Sequence, residues 1–248
     1  VVRSRAVTVV VRPLTQTSTK GFVSLAFAVI YAAVGLVRHW HFGSSAFDLG
    51  IFDQVLWHLS RFEAPASTVL GTSTLLGTHF SPVWALLVPL YWVYPHPESL
   101  IVAQGALLGA SVMPVWVFLE RRLPHQPALL LALAYGCFWG LQRAAHFDVH
   151  ELAFAPVLIA TAIVAMDRSN WRLFLAVAVP LCFVKEDQIP LVAAFGGLWV
   201  LRAQSRADRL GGALVAILSV AFFGLVVGWI IPTLSDTGAY SVGSAFHD

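Results

Sequence analysis

Charge is what this sequence has least of: Asp, Glu, Lys and Arg make up 11% of 248 residues, against 58% hydrophobic ones. A water-soluble domain of this length carries about a quarter charged residues, so that class is excluded. Cysteine is scarce too. Both Cys137 and Cys182 fall inside apolar runs, which excludes a disulfide framework and a cysteine metal cluster. The His-Glu-x-x-His order of zinc hydrolases is missing. The basic residues are few and dispersed, so nucleic acid is not expected as a partner.

What is present is apolar sequence in runs of about 20 residues, the length that crosses a bilayer. Spans are expected near 21–38, 99–119, 126–142, 152–166 and 210–232, with a broken apolar stretch over 172–201. This predicts an all-α, polytopic transmembrane helical bundle contacting membrane lipid. The first run has no small-residue cleavage pattern before Arg38-His39-Trp40-His41, so it reads as an uncleaved signal anchor. The start at Val1 and the ending Phe246-His247-Asp248 read as those of a truncated chain.

Positive charge sets the orientation. Eleven of the 15 Lys and Arg residues face one side if 83–95 does not cross and 172–201 crosses twice. Ten of the 13 Asp and Glu residues, and every His except His125, then face the other. The basic side is the cytoplasm, which gives a plasma-membrane protein with residues 1–20 cytoplasmic, 21–232 transmembrane and 233–248 external. The first external loop, 39–98, holds two juxtamembrane helices, 48–62 and 83–95. The second is thirteen residues, about 20 Å as a helix, too short for a comfortable span. Segment 172–201 has Pro180 and Pro190 bracketing its charged centre, so two half-spans are expected there; one tilted span is the alternative.

Four polar clusters fall on the outer side: Phe47 to Gln54, Gly77 to Pro82, His146 to Glu151, and Lys185 to Gln188. Ionisable groups beside hydrocarbon are costly, so a convergent set marks a functional site. Asp48 sits where a helix N-cap belongs, with Phe47 and Phe52 placed as a hydrophobic staple. It reads either as that cap or as a carboxylate serving as base, with Asp53 one turn later. His146 and His150 are four apart, which on a helical turn shares one face and suits a metal or a phosphate. Asp148 and Glu151 add carboxylates, making these four the candidate ligands of a divalent metal ion, the one cofactor suggested. Arg143 lies one turn earlier. Lys185 offers a point charge for phosphate, and Glu186 or Asp187 a carboxylate, unless the three neutralise one another. His79 reads as a binding residue or an ordinary interfacial histidine.

The order of these motifs resembles C-type (GT-C) membrane glycosyltransferases. More closely, Phe-Asp-Leu-Gly-Ile-Phe-Asp-Gln, His-Phe-Ser-Pro, Phe-Asp-x-His-x-Glu and Lys-Glu-Asp resemble an uncharacterised prokaryotic multi-pass membrane family, a domain of unknown function grouped with those enzymes. The resemblance spans about residues 20–248. The acidic pair usual in the first loop is absent, since Asp48 and Asp53 are five apart.

The resemblance implies a GT-C-like fold and glycosyl transfer at the outer membrane face, with sugar carried on a polyprenyl phosphate to an unknown acceptor. Asp48, Asp53 and Asp187 are then the catalytic candidates. His79, Arg143, Lys185 and Glu186 are the substrate-binding ones. Two readings from other classes stand beside it: a transporter or lipid flippase, and a non-catalytic membrane scaffold.

Overall fold

The computed structural model describes residues 14–238 and 240. The first thirteen residues of the 1–20 segment, and residues 239 and 241–248 of the 233–248 segment, lie outside the described residues. The described residues are helical throughout, apart from loops and one isolated β-bridge between Ser67 and Thr72.

α1 (Leu14–Trp40) is followed by an irregular turn, Ala46–Gly50, and by α2 (Ile51–Ser60). A loop leads to a 3-10 turn, Pro82–Leu87, that runs into α3 (Val88–Val93). α4 (Pro97–Ala110) and α5 (Val112–Leu119) form one crossing-length unit, and α6 (His125–Gly136) and α7 (Trp139–His146) another. α8 (Ala155–Asp167), α9 (Trp171–Cys182) and α10 (Ile189–Arg202) are shorter. α11 (Arg206–Leu225) continues through a wider turn into α12 (Ile231–Leu234).

Four helical stretches are long and apolar enough to cross a membrane: Thr19–Trp40, Pro97–Leu119, His125–His146 and Arg206–Leu234. They coincide with four of the expected spans. The fifth, 152–166, is the thirteen-residue α8, about 20 Å long. Segment 172–201 folds back on itself. Trp171, the first residue of α9, stacks on Trp199 near the end of α10 with ring centroids 3.7 Å apart. Pro190 starts the return helix, where a missing N–H costs nothing.

The surface helices differ from expectation. Over 48–62 the helix proper begins only at Ile51 and ends at Ser60. Over 83–95 half the segment is 3-10, with Pro82 and Pro89 each opening a new helical piece.

Small residues bring two of the long helices into close contact. A Cβ on Gly109 would lie 2.3 Å from Ala28 N, and one on Gly105 2.5 Å from Ala32 N, so α4 lies directly against α1. These glycines serve close packing and do not open a groove.

The bundle has two chemically distinct ends. At one, buried Lys20 and Glu120 pair at 2.7 Å, and Arg121 and Arg122 both hold Asp167. At the other, Arg38 meets Asp148, Lys185 meets Glu151 and His79 meets Glu186. Three of the four polar clusters supply those last pairs.

Candidate functional site

Asp48 does not cap α2. Gly50 occupies the cap position, and Asp48 sits in the preceding turn at φ 65° and ψ −85°. Those angles are close to a γ-turn of the strained hand. The expected staple is absent as well: Phe47 is largely exposed, while Phe52 is buried and stacked on Trp84 at 4.4 Å. A non-glycine residue in this region costs about 1–3 kcal/mol and persists where the surroundings over-determine it.

Among the described residues the Asp48 carboxylate has no hydrogen bond or ion pair at contact distance. It lies within electrostatic reach of His150, Asp148, Glu151 and Lys185. Partial burial pushes its pKa up, and Asp148 and Glu151 add to that; His150 and Lys185 oppose it. An unpaired carboxylate, held in a strained turn and harder to ionise than usual, is suited to taking a proton.

Lys185 and Glu151 form the floor. Glu151 is 1% exposed, with Lys185 Nζ 3.1 Å from Oε1 and His150 Nδ1 3.3 Å from Oε2. Lys185 is therefore neutralised by Glu151, not by its neighbour Glu186. Burial depresses the pKa of His150, which also reaches Asp48 and His79 electrostatically and meets the edge of Phe52.

Glu186 turns the other way. Its Oε1 is 2.8 Å from His79 Nδ1 and 3.0 Å from the Tyr240 hydroxyl, and its Oε2 accepts from Phe80 N at 2.9 Å. Burial raises its pKa, but the His79 hydrogen bond and backbone N–H donors outweigh that and hold it below the usual carboxylate range. The ionised carboxylate can only accept, so His79 donates through Nδ1 and keeps Nε2 for another partner.

The remaining candidates stand apart. Asp53 accepts from Tyr91 at 2.6 Å and ties α2 to α3. Asp187 is exposed and accepts from Gln188 at 2.9 Å. Asp148 is buried and accepts from Arg38 at 2.6 Å and from Ser45 N and Oγ at 3.0 and 3.1 Å. His146 and His150 do not share a helical face. α7 ends at His146, and Phe147 is extended at ψ 170°, so the chain leaves the helix between them. Asp148 thus turns to Arg38 and Ser45, while His150 and Glu151 pair with each other and with Lys185, so the four do not form one ligand set. Among the described residues no three His, Cys, Asp or Glu side chains are placed to hold a metal ion.

Arg143 is exposed near the end of α7, at the rim of two apolar grooves. Four further residues shape the site: Arg38, Ser45, Gln104 and Tyr240. Gln104 is the most informative. Buried in α4, it donates to Ala144 O at 3.0 Å and accepts from His150 N at 3.1 Å, which holds the 146–151 turn in place. A lone glutamine inside an apolar span was the available signal.

Residues 38–247 match the family model described as "Predicted membrane protein (DUF2079)". The chain belongs to that family. Comparison with curated proteins and with solved structures finds no match. The four polar clusters all lie inside the stretch matched to this membrane-protein family.

Proposed function

We propose that this DUF2079 protein is a GT-C-type membrane glycosyltransferase, with Asp48 as its base and a polyprenyl-phosphate-linked sugar as donor. The observation that carries the reading is the unpaired Asp48 carboxylate, beside His150 and Lys185 at one end of the bundle. In the reaction, an acceptor hydroxyl attacks the sugar's anomeric carbon and loses its proton to Asp48. The bond from that carbon to the phosphate oxygen breaks, and the lipid phosphate leaves with the electron pair. Cationic side chains steady that developing charge. His79 Nε2 and His150 line the approach for sugar hydroxyls.

Sidedness supports an outer-face site in the plasma membrane with a cytoplasmic N-terminus. Arg121, Arg122, Arg168, Arg172, Arg202, Arg206 and Arg209 flank helix ends opposite Asp48, where the positive-inside tendency places the cytoplasm. A transporter would be expected to hold its charges near mid-membrane. Here they lie at the two ends of the bundle, with the four polar clusters at one of them.

The test is transfer from a panel of radiolabelled polyprenyl-phosphate sugars, using the full chain in its native membranes with extracted envelope acceptors. Wild type should label an acceptor, and Asp48→Asn should reduce the rate by about 10²-fold or more, the usual weight of a general base. Full activity in Asp48→Asn would overturn the assignment of the base. No transfer from any donor would overturn the reaction class.

A further inference from the structure

The end opposite Asp48 handles its positive charge in two ways. Around α1, α5 and α6 the charge is neutralised within the chain: Lys20 pairs with Glu120, and Arg121 and Arg122 both hold Asp167. Around α9, α10 and α11 it is not. Arg168 and Arg172 sit at the α8–α9 turn, and Arg202, Arg206 and Arg209 at the α10–α11 turn. All five are exposed, and among the described residues none of their guanidinium groups has a hydrogen bond or ion pair.

Folding brings these two turns side by side. Trp171 stacks on Trp199 and donates through Nε1 to Asp208 at 2.8 Å, and a Cβ on Gly211 would lie 3.1 Å from the Trp171 ring. Asp208 also accepts from Ser205 Oγ at 2.7 Å and pairs with none of the arginines. Orientation by charge requires basic residues on one side only. It does not require the unpaired ones to gather on neighbouring turns. Between the turns lies a crevice of about 130 Å³ lined by Ser169, Trp199, Arg202, Gln204 and Asp208. That is below the roughly 300 Å³ at which clefts for whole small molecules begin, so it suits a headgroup.

The flanking residues decide the partner. Leu201 and Leu210, next to Arg202 and Arg209, are 83% and 61% exposed, and Leu214 one turn on is exposed too. On membrane-spanning helices such leucines face acyl chains, so these guanidinium groups lie where hydrocarbon gives way to headgroups. A soluble acidic protein or a nucleic acid would meet the charge and leave the leucines uncovered. A phospholipid meets both. A guanidinium binds phosphate through paired N–H donors, and basic pockets between membrane helices take anionic headgroups.

We propose that the α8–α9 and α10–α11 turns form a binding site for an anionic phospholipid, with its headgroup at the crevice beside Arg202 and its acyl chains along the exposed leucines of α10 and α11. The site depends neither on Asp48 nor on the reaction proposed above.

The test uses the full chain in nanodiscs of phosphatidylcholine with an equal share of phosphatidylglycerol, and native mass spectrometry counts the lipids retained. Wild type should prefer phosphatidylglycerol by at least about tenfold. Arg202→Gln should lower that preference by about fivefold, the weight of one basic side chain near an anionic membrane. Arg172→Gln with Arg202→Gln should bring it close to one, with the melting temperature unchanged because both side chains are exposed. Arg121→Gln, in which Arg122 still holds Asp167, should leave the preference as in wild type.

A preference retained in the double variant would overturn the site. An equal loss in Arg121→Gln would assign the effect to the charge of the whole end and overturn it as well. Displacement of the lipid by inorganic phosphate at equal concentration would assign the arginines to free anions. Binding of polyglutamate without any preference for phosphatidylglycerol would assign them to an acidic protein, and either result overturns the lipid reading.

Discussion

Arg38 Nη1 lies 2.6 Å from Asp148 Oδ1, joining the last turn of α1 to a loop 110 positions later. Ser45 completes the carboxylate's hydrogen bonds, and Asp148 is almost wholly buried. This pair brings the Asp48 turn and the 146–151 turn together. Removing its cation leaves a buried charge without a counter-ion. Arg38→Met should therefore destabilise the fold by about 3–5 kcal/mol, and Arg38→Met with Asp148→Asn by clearly less. Chemical denaturation in detergent would measure both. Equal losses in the two proteins would mean that the pair is not coupled.

Asp48 is expected to trade stability for function. Its positive φ favours glycine, so Asp48→Gly should raise stability by about 1–3 kcal/mol through relief of backbone strain. The same substitution removes the carboxylate and should abolish transfer. A destabilised Asp48→Gly protein would show that the carboxylate supports the fold.

Two pH effects have opposite signs. The Asp48 pKa is raised above the ordinary value of 3.8, so the acidic limb of the pH–rate profile should lie above 3.8. The raised value also favours the protonated fold, and this contribution to stability is lost as pH rises through the folded pKa. The His150 pKa is lowered from 6.5, so its contribution is present above 6.5 and lost as pH falls through the folded value. His150→Gln should flatten the fall in melting temperature below pH 6.5 relative to wild type. An unchanged slope would show that His150 does not titrate with the fold.

Close approach of α1 and α4 gives the simplest mutational test of the bundle. A Cβ at Gly109 would sit 2.3 Å from backbone Ala28 N, which cannot rotate away. Gly109→Ala should cost about 1–3 kcal/mol by overpacking, whereas Gly197→Ala, which meets nothing within 4 Å, should not destabilise. Thermal melts of the two proteins decide it.

The sequence announces what depends on local chemistry. Pro180, Pro190 and the charges between them mark the hairpin of α9 and α10, and apolar run length marks the four long crossings. The clusters around Asp48, His79, His150 and Lys185 are visible as charge where hydrocarbon is the rule. What stays hidden is pairing over distance. Nothing near Asp53 announces Tyr91, 38 positions away, and nothing near Asp148 announces Arg38. The His146 and His150 spacing misleads because helical spacing says nothing unless the helix continues, and here it stops at His146. Asp48 misleads for a related reason. A cap residue and a strained turn residue have the same composition, and only the backbone angle separates them.

Tyr240 and Asp236 give the molecule a particular order of assembly. Asp236 accepts from Ser73 N at 2.9 Å across 163 positions, while Tyr240 reaches Glu186 at 3.0 Å. Until residues 236 and 240 have been made, Ser73 lacks its Asp236 acceptor and Glu186 lacks one of its donors. Every other named group at this end precedes them in the chain, so these two contacts are the last to become available. A chain halted before residue 235 therefore lacks both contacts even with all its earlier helices in place.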